Sequence, residues 1–169
     1  EFYGNSLHNF IDASAATYFY GFTVLIDGGL GADTMIGNGV VDNFYVIDNV
    51  DDVIVEPDHS TADRDTVWSY IDYTLDDRLD NLTLLGSGTL SGSGNDHRNI
   101  LYGNSANNVL IGGGGNDDLD GWNGADTLMG GSGDDYYVVN EIGDAIIENA
   151  DEGNDSVFSA VSYILPENV

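Results

Sequence analysis

The stretch that decides the fold reads GGGGNDDLD, GWNGADTLM and GGSGDDYYV, three adjoining nonapeptides at residues 112–138. They follow the form G-G-x-G-x-D-x-U-x, where U is a large apolar residue, except that Trp122 replaces the second glycine of the middle copy. Glycine at places one, two and four lets the backbone adopt positive φ and turn its carbonyls toward one point. Aspartate at place six adds a hard anionic oxygen of the kind that Ca²⁺ prefers. The last three residues favour a short strand whose apolar member faces inward.

The nine-residue period extends beyond these three copies. Place six carries an oxygen-bearing side chain and place eight an apolar one at every step: Asn99, Asn108, Asp117, Asp126, Asp135 and Asp144, with Leu101, Leu110, Leu119, Leu128, Tyr137 and Ile146. A second ladder near the start of the chain has Asp33, Asp42 and Asp51, with Met35, Phe44 and Val53. Agreement in several places at once predicts a repeat array.

With GGLGADTMI at 28–36, these motifs resemble the RTX (repeat-in-toxin, haemolysin-type calcium-binding) repeat family. The resemblance implies an all-β, right-handed parallel β-roll or β-solenoid in which two nonapeptides form one coil. Each turn would be half of a Ca²⁺ site, completed by the same-side turn of the next coil.

The resemblance also implies which residues share an ion. Asp117 would share one with Asp135, Asp126 with Asp144, and Asp33 with Asp51, and turn carbonyls would supply most other ligands. The full implied ligand set is Gly28, Gly29, Leu30, Gly31, Asp33, Asp42, Asp51, Asn108, Gly112, Gly113, Gly114, Gly115, Asp117, Gly121, Asn123, Gly124, Asp126, Gly130, Gly131, Ser132, Gly133, Asp135 and Asp144. Glycines are missing at 46–49 and 139–142, so weaker or reshaped half-sites are expected there.

The charge balance points to the same cofactor. The 169 residues include 30 acids and only three arginines, for a formal charge of −27. Such a chain repels nucleic acid and anionic membrane surfaces, which leaves divalent cations or a basic partner as counter-ions. Cysteine is absent, which excludes a disulfide framework or a thiolate zinc site. The longest uncharged stretch, 13–26, is too short to span a bilayer.

The chain divides into an entry segment, 1–27, a first calcium block, 28–54, a strand-rich spacer, 55–93, a second block, 94–144, and the start of a second spacer, 145–169. Residues 138–148 echo 45–56, and 155–165 echo 65–75, so the pattern indicates an internal duplication. The spacers need not bind calcium. Because both ends fall inside the pattern, either a segment of a longer array or a subunit whose ends continue into a neighbour is expected.

No residue pattern supports catalysis. The three histidines share no spacing, and no serine lies in a nucleophile elbow. Acid pairs are inevitable among so many carboxylates. The sequence therefore predicts a non-enzymatic, calcium-dependent structural module, and the family resemblance implies that it belongs to a secreted or cell-surface protein. The alternative is an adhesive or self-assembling module that binds carbohydrate, a partner or copies of itself, with Ca²⁺ as structural cement.

Overall fold

The computed structural model describes residues 1–16, 23–57 and 64–169. Within these ranges the chain forms seventeen short strands and no helix. Glycine and aspartate are poor helix formers, and the turns they make limit each strand to a few residues. The strands are β1 Phe2–Tyr3, β2 Phe10–Asp12, β3 Val24–Asp27, β4 Thr34–Ile36, β5 Asn43–Ile47, β6 Val53–Val55, β7 Thr66–Ser69, β8 Tyr73–Thr74, β9 Asn81–Leu84, β10 Ser91–Ser93, β11 Ile100–Tyr102, β12 Val109–Gly114, β13 Asp118–Asp120, β14 Thr127–Ser132, β15 Tyr136–Val139, β16 Ala145–Ile146 and β17 Ser156–Ser159.

Alternate strands belong to opposite faces of the molecule. The odd-numbered strands β1 to β17 form one nine-stranded sheet in chain order. The even-numbered strands form a three-stranded sheet, β2-β4-β6, and a five-stranded sheet, β8-β10-β12-β14-β16. Every pairing is parallel, and each joins a strand to the one a full coil later. The chain is therefore a parallel β-solenoid, and the predicted fold class is confirmed.

The apolar ladder forms the core. Leu101 pairs with Leu119 and Leu119 with Tyr137 on one face. On the other face, Leu110 pairs with Leu128. All of these side chains are at most 1% exposed. The solenoid therefore buries its apolar residues by stacking equivalent positions of successive coils.

The first ladder differs from the predicted register by one residue. In comparable turns, the backbone N–H of one asparagine donates to the side-chain oxygen of the asparagine four residues later, which holds place six, as Asn95 does to Asn99. The corresponding bond from Asn38 to Asn43 spans five. This extra residue moves Asn43 rather than Asp42 to place six. The inward residues become Tyr45 and Ile54 instead of the predicted Phe44 and Val53, as the pairings Ile26–Tyr45 and Met35–Ile54 show.

The predicted duplication recurs in the contacts. The Ser69 hydroxyl donates to the carbonyl of Ile71 and accepts its N–H, and Ser159 does the same with Val161. Spacer strands β7, β9 and β17 join the same nine-stranded sheet as the calcium blocks. The spacers are thus further coils of one solenoid.

Two features of the sequence fall mostly outside the described residues. One is the alternation of Tyr18, Tyr20, Phe22, Val24 and Ile26, which favours a strand with these side chains on one face, and the other is the loop at 57–64. Of the alternating positions, Val24 and Ile26 are described, and both are buried. Among the described residues, no helix has the length and hydropathy needed to cross a membrane.

Candidate calcium sites

The glycine-rich turns have the backbone geometry that the motif predicts. In the turn before β13, φ is 109° at Gly113 and 101° at Gly115, in the left-handed region that side chains rarely adopt. The other copies repeat positive φ at Gly29, Gly31, Gly124, Gly131 and Gly133. Trp122 holds the second place of its turn and is forced to a φ of 63°.

The place-six carboxylates connect successive coils. Oδ1 of Asp135 accepts the backbone N–H of Asp117 at 2.7 Å, and Oδ1 of Asp117 accepts that of Asn99 at 2.7 Å. On the opposite edge, Asp126 accepts the N–H of Asn108 at 2.7 Å, and Asp33 that of Asn9 at 2.6 Å. One oxygen of each carboxylate is therefore used in stacking.

The second oxygen of these carboxylates is buried without a hydrogen bond. This holds for Oδ2 of Asp33, Asp117, Asp126 and Asp135, whose residues are 1–2% exposed. Buried polar atoms in folded proteins nearly always have a partner, and an ion is one explanation when none is present. Four orphaned oxygens at equivalent places indicate one shared cause.

Burial has a clear electrostatic consequence at these carboxylates. Loss of hydration raises the pKa of Asp117 to about 7 and that of Asp126 and Asp135 to about 6. Hydrogen bonds from the stacked backbone oppose this shift, while neighbouring carboxylates add to it. Near neutral pH the metal-free turns hold carboxylates that either bind protons or repel one another.

The first glycine of each turn leaves room beside the orphaned oxygen. A Cβ at Gly112 would lie 2.2 Å from Oδ2 of Asp117 and 2.6 Å from the carbonyl oxygen of Gly130. At Gly121 it would lie 2.2 Å from Oδ2 of Asp126. A carboxylate oxygen and a carbonyl of the next coil thus face a common space, which is the donor set that Ca²⁺ uses.

A second kind of turn, with the sequence G-N-x-x-x-N, satisfies its polar groups internally. At 94–99, Oδ1 of Asn99 accepts the N–H of Asn95 at 2.8 Å. The side-chain amide of Asn95 donates to the carbonyls of Asp76 and Leu79 in the preceding coil, at 2.9 and 2.8 Å. An amide N–H here bridges turn carbonyls in the way that a cation would.

Asn108, which the resemblance included among the ligands, belongs to this amide class. Its Oδ1 accepts the N–H of Asn104 at 2.8 Å, and its nitrogen donates to the carbonyl of Leu90 at 3.1 Å. Both ends of the amide are therefore already used. The same turn recurs at 4–9 and 38–43, where Asn9 and Asn43 close the loop.

Asp144 differs from the carboxylates with an unpartnered oxygen, because both of its oxygens accept hydrogen bonds. Its Oδ1 accepts the N–H of Asp126 at 3.1 Å, and its Oδ2 accepts those of Asn140 and Glu141 at 3.0 and 3.1 Å. This turn lacks the glycines of the motif, and Asp144 closes it by accepting these two N–H groups. Asp144 thus acts as a backbone cap as well as a stacking residue.

The first copy repeats this cap at Asp52 and not at the predicted Asp51. Asp52 accepts the N–H of Asp33 at 2.9 Å and those of Asp48 and Asn49 at 3.2 and 3.1 Å. Asp51 is exposed, and its own N–H bonds to Asn49. Asp42 likewise lies beside the ladder, where it accepts the N–H of Arg64 at 2.9 Å. The extra turn residue at 38–43 causes both displacements.

Sequence reasoning missed residues of the spacer coils. Asp155 accepts the N–H of Asp135 at 2.9 Å, and its Oδ2 is buried without a hydrogen bond. Asp65 accepts the N–H of Asn43 at 2.7 Å, and Asp80 in turn accepts the N–H of Asp65 at 2.9 Å. These acids follow coils of changed length, so a fixed step of nine passes over them.

Any metal site in the described residues must rely on backbone carbonyls. No group of three or more histidine or acidic side chains there is gathered closely enough to hold a metal. Ca²⁺ accepts six to eight oxygens and takes carbonyls readily. The glycine-rich turns that contain Asp33, Asp117, Asp126 and Asp135, here called open turns, each offer one orphaned carboxylate oxygen and several carbonyls from two coils. These residues therefore fit Ca²⁺.

The fold and these turns define a class: parallel β-solenoids whose glycine–aspartate turns face one another across adjacent coils. A family model described as the RTX calcium-binding nonapeptide repeat matches the chain in four copies, over residues 24–43, 91–128 and 102–137. The matched segments are thus RTX calcium-binding repeats, as their motifs predicted, and these repeats imply Ca²⁺ as the cofactor. No curated protein and no solved structure gave a match.

Proposed function

We propose that this chain is a structural β-roll module of a secreted or cell-surface protein and that it folds when it binds extracellular Ca²⁺. The observation that carries the proposal is the set of buried, unpartnered Oδ2 atoms at Asp33, Asp117, Asp126 and Asp135. Placing these oxygens in the interior without a cation is costly. Calcium binding then contributes directly to the free energy of folding.

The overall charge supports the same coupling. A formal charge of −27 with only three basic residues opposes compaction of the metal-free chain. The stacked coils place successive acids one above another along each edge. Ca²⁺ neutralises them where millimolar calcium is present, which is the extracellular space. The role is mechanical: calcium sets where the module becomes rigid.

A calcium titration followed by far-UV circular dichroism tests the proposal. In excess chelator the chain should show little strand signal, and millimolar Ca²⁺ should produce the full signal cooperatively. Mg²⁺ at the same concentration should do much less, because it prefers a tighter octahedral shell and retains its waters. Equal strand content in chelator and in calcium would refute the coupling.

A second candidate function, carbohydrate adhesion, is favoured by one surface feature. A cavity of about 310 Å³ on the outer face is lined by Tyr102, Trp122, Asn104 and Asn123, among others. Trp122 is 54% and Tyr102 40% exposed. Aromatic rings with a few amide groups suit an uncharged sugar. A glycan screen in calcium tests this function, with Trp122→Ala as the control. Absence of any retained glycan, or equal retention by the variant, would reject it.

A further inference from the structure

Each copy of the duplication ends its glycine-rich turns with a buried glutamate. Glu148 lies one coil after Gly130, in the first place of the turn, where earlier coils have glycine. Its carboxylate accepts the N–H of Gly130 at 2.9 Å and a hydrogen bond from the hydroxyl of Tyr137. In the first copy, Glu56 accepts a hydrogen bond from the hydroxyl of Tyr45. The tyrosine–glutamate pair is therefore a repeated element.

The two copies differ in the place-six residue beside this pair. In the first copy it is Asn43, whose side-chain nitrogen donates to Oδ1 of Asp65 at 2.9 Å and to Oε2 of Glu56 at 3.4 Å. An amide hydrogen thus lies between two carboxylates. In the second copy the equivalent residue is Asp135, which has no hydrogen to donate when ionised.

Two buried oxygens lack hydrogen bonds in the second copy. They are Oε2 of Glu148, a residue 8% exposed, and Oδ2 of Asp135, a residue 2% exposed. A Cβ at Gly130 would lie 2.0 Å from Oδ2 of Asp135 and 2.2 Å from the hydroxyl oxygen of Tyr137, which is bonded to Glu148. The two carboxylates therefore border the same space, and no amide separates them.

We infer that the turn pair at 130–135 and 148–155 holds a divalent cation, Ca²⁺ in calcium-rich surroundings, through the carboxylates of Asp135 and Glu148. Asp135 belongs to the second calcium block and Glu148 to the following spacer, 145–169, which was not expected to need calcium, and turn carbonyls complete the shell. In the first copy the amide of Asn43 takes the place of the cation. This inference rests on the proposed calcium-dependent fold, but it assigns one particular ion to a carboxylate, that of Glu148, which lies outside the glycine-rich motif.

Counting bound calcium at saturation by equilibrium dialysis and metal analysis tests the site. Glu148→Gln supplies an amide that can donate to Asp135, as Asn43 does to Glu56, so this variant should bind one ion fewer than the parent chain. Glu141→Gln makes the same charge change at an exposed position and should bind the parent number. Equal counts for Glu148→Gln and the parent would overturn the inference.

The opposite substitution, Asn43→Asp, provides the second arm. It recreates the acidic arrangement in the first copy and should add one bound ion. If Glu148→Gln fails to show the strand signal at saturating calcium, this arm decides: one additional ion supports the site and an unchanged count overturns it. A parent chain that binds no calcium would refute the proposed function itself, which separates the two failures.

Discussion

Asp135 accepts the backbone N–H of Asp117 at 2.7 Å through one carboxylate oxygen, while its other oxygen is buried without a hydrogen bond. The first contact fixes the spacing of two coils, and the second leaves an uncompensated interior charge. One side chain thus takes part in stacking and, in the proposed function, also in cation binding. A substitution at place six can keep the first function and remove the second, so the two can be measured separately.

Asp117→Asn makes this separation. The asparagine oxygen can still accept the N–H of Asn99, so the coil should stack, but the anionic ligand is lost. We expect apparent calcium affinity to fall by about tenfold or more, which corresponds to ~1.4 kcal/mol. Isothermal titration calorimetry measures it.

Asp77→Asn is the matched control, because Asp77 is an exposed spacer residue. It should leave affinity within about twofold of the parent value, since exposed charges interact weakly through water. Equal losses in the two variants would mean that net charge alone governs calcium binding.

The metal-free chain should be most structured in mildly acidic solution. In the folded form the pKa of Asp117 is raised to about 7 and those of Asp126 and Asp135 to about 6, above the ordinary value for aspartate. Between about pH 4 and pH 7 the folded state therefore binds more protons than the unfolded state, and stability falls as pH rises through that window.

Two measurements check this linkage. Far-UV circular dichroism of the calcium-free chain should show more strand at pH 5 than at pH 8. Because Ca²⁺ displaces the bound protons, calcium binding at pH 6 should release protons, which calorimetry in buffers of different ionisation enthalpy detects. Affinity should also drop between pH 7.5 and pH 5.5. A calcium affinity that does not change with pH would contradict the assignment of these carboxylates.

Asp144→Ala should reduce stability at saturating calcium. The substitution removes the acceptor for the N–H groups of Asn140, Glu141 and Asp126. Leaving buried donors unsatisfied costs about 1–3 kcal/mol in the free energy of unfolding. Urea denaturation in millimolar Ca²⁺ measures the loss, and Asp51→Ala is the control because Asp51 lies outside the ladder. Equal stability of the two variants would refute the capping role of Asp144.

Much of this arrangement could be predicted from the nonapeptide pattern. Where the step of nine is unbroken, as from Leu101 to Ile146, the inward residues and the stacked acids follow directly. The pattern failed where one residue was added to a turn, because an insertion at 38–43 moves the later positions of the first ladder by one. It therefore selected Asp42 and Asp51, whereas the ladder uses Asn43 and Asp52.

Other features of the sites need coordinates because they depend on contacts between coils. The sequence shows that Asn99 and Asn108 are neutral, but not that both the oxygen and the nitrogen of each amide are hydrogen-bonded. It also shows a glutamate at position 148 without indicating that the side chain enters the turn of the preceding coil. Side-chain direction at an irregular turn is set by its stacked neighbour, which lies a full coil away in sequence.

The first glycine of an open turn should be essential for calcium binding even where its φ is ordinary. Gly112→Ala would place a methyl group 2.2 Å from Oδ2 of Asp117, so the carboxylate or the backbone must move. We expect at least about a tenfold loss of calcium affinity, or ~1.4 kcal/mol. Gly88→Ala is the control, since nothing lies within 4 Å of its Cβ position. Equal affinities for the two variants would show that the space beside Asp117 is not used.

Trp122→Gly should stabilise the calcium-bound module. Trp122 has a φ of 63° at a place where the other open turns have glycine, and a side chain in that conformation costs about 1–2 kcal/mol. The indole is 54% exposed, so its loss removes limited packing. We expect a gain of about 1 kcal/mol in the free energy of unfolding, measured by urea denaturation at saturating Ca²⁺. Trp122→Asn, which tolerates the same φ, should give a smaller gain. If both variants are less stable than the parent, the contacts of the indole across the Tyr102 cavity outweigh the backbone strain.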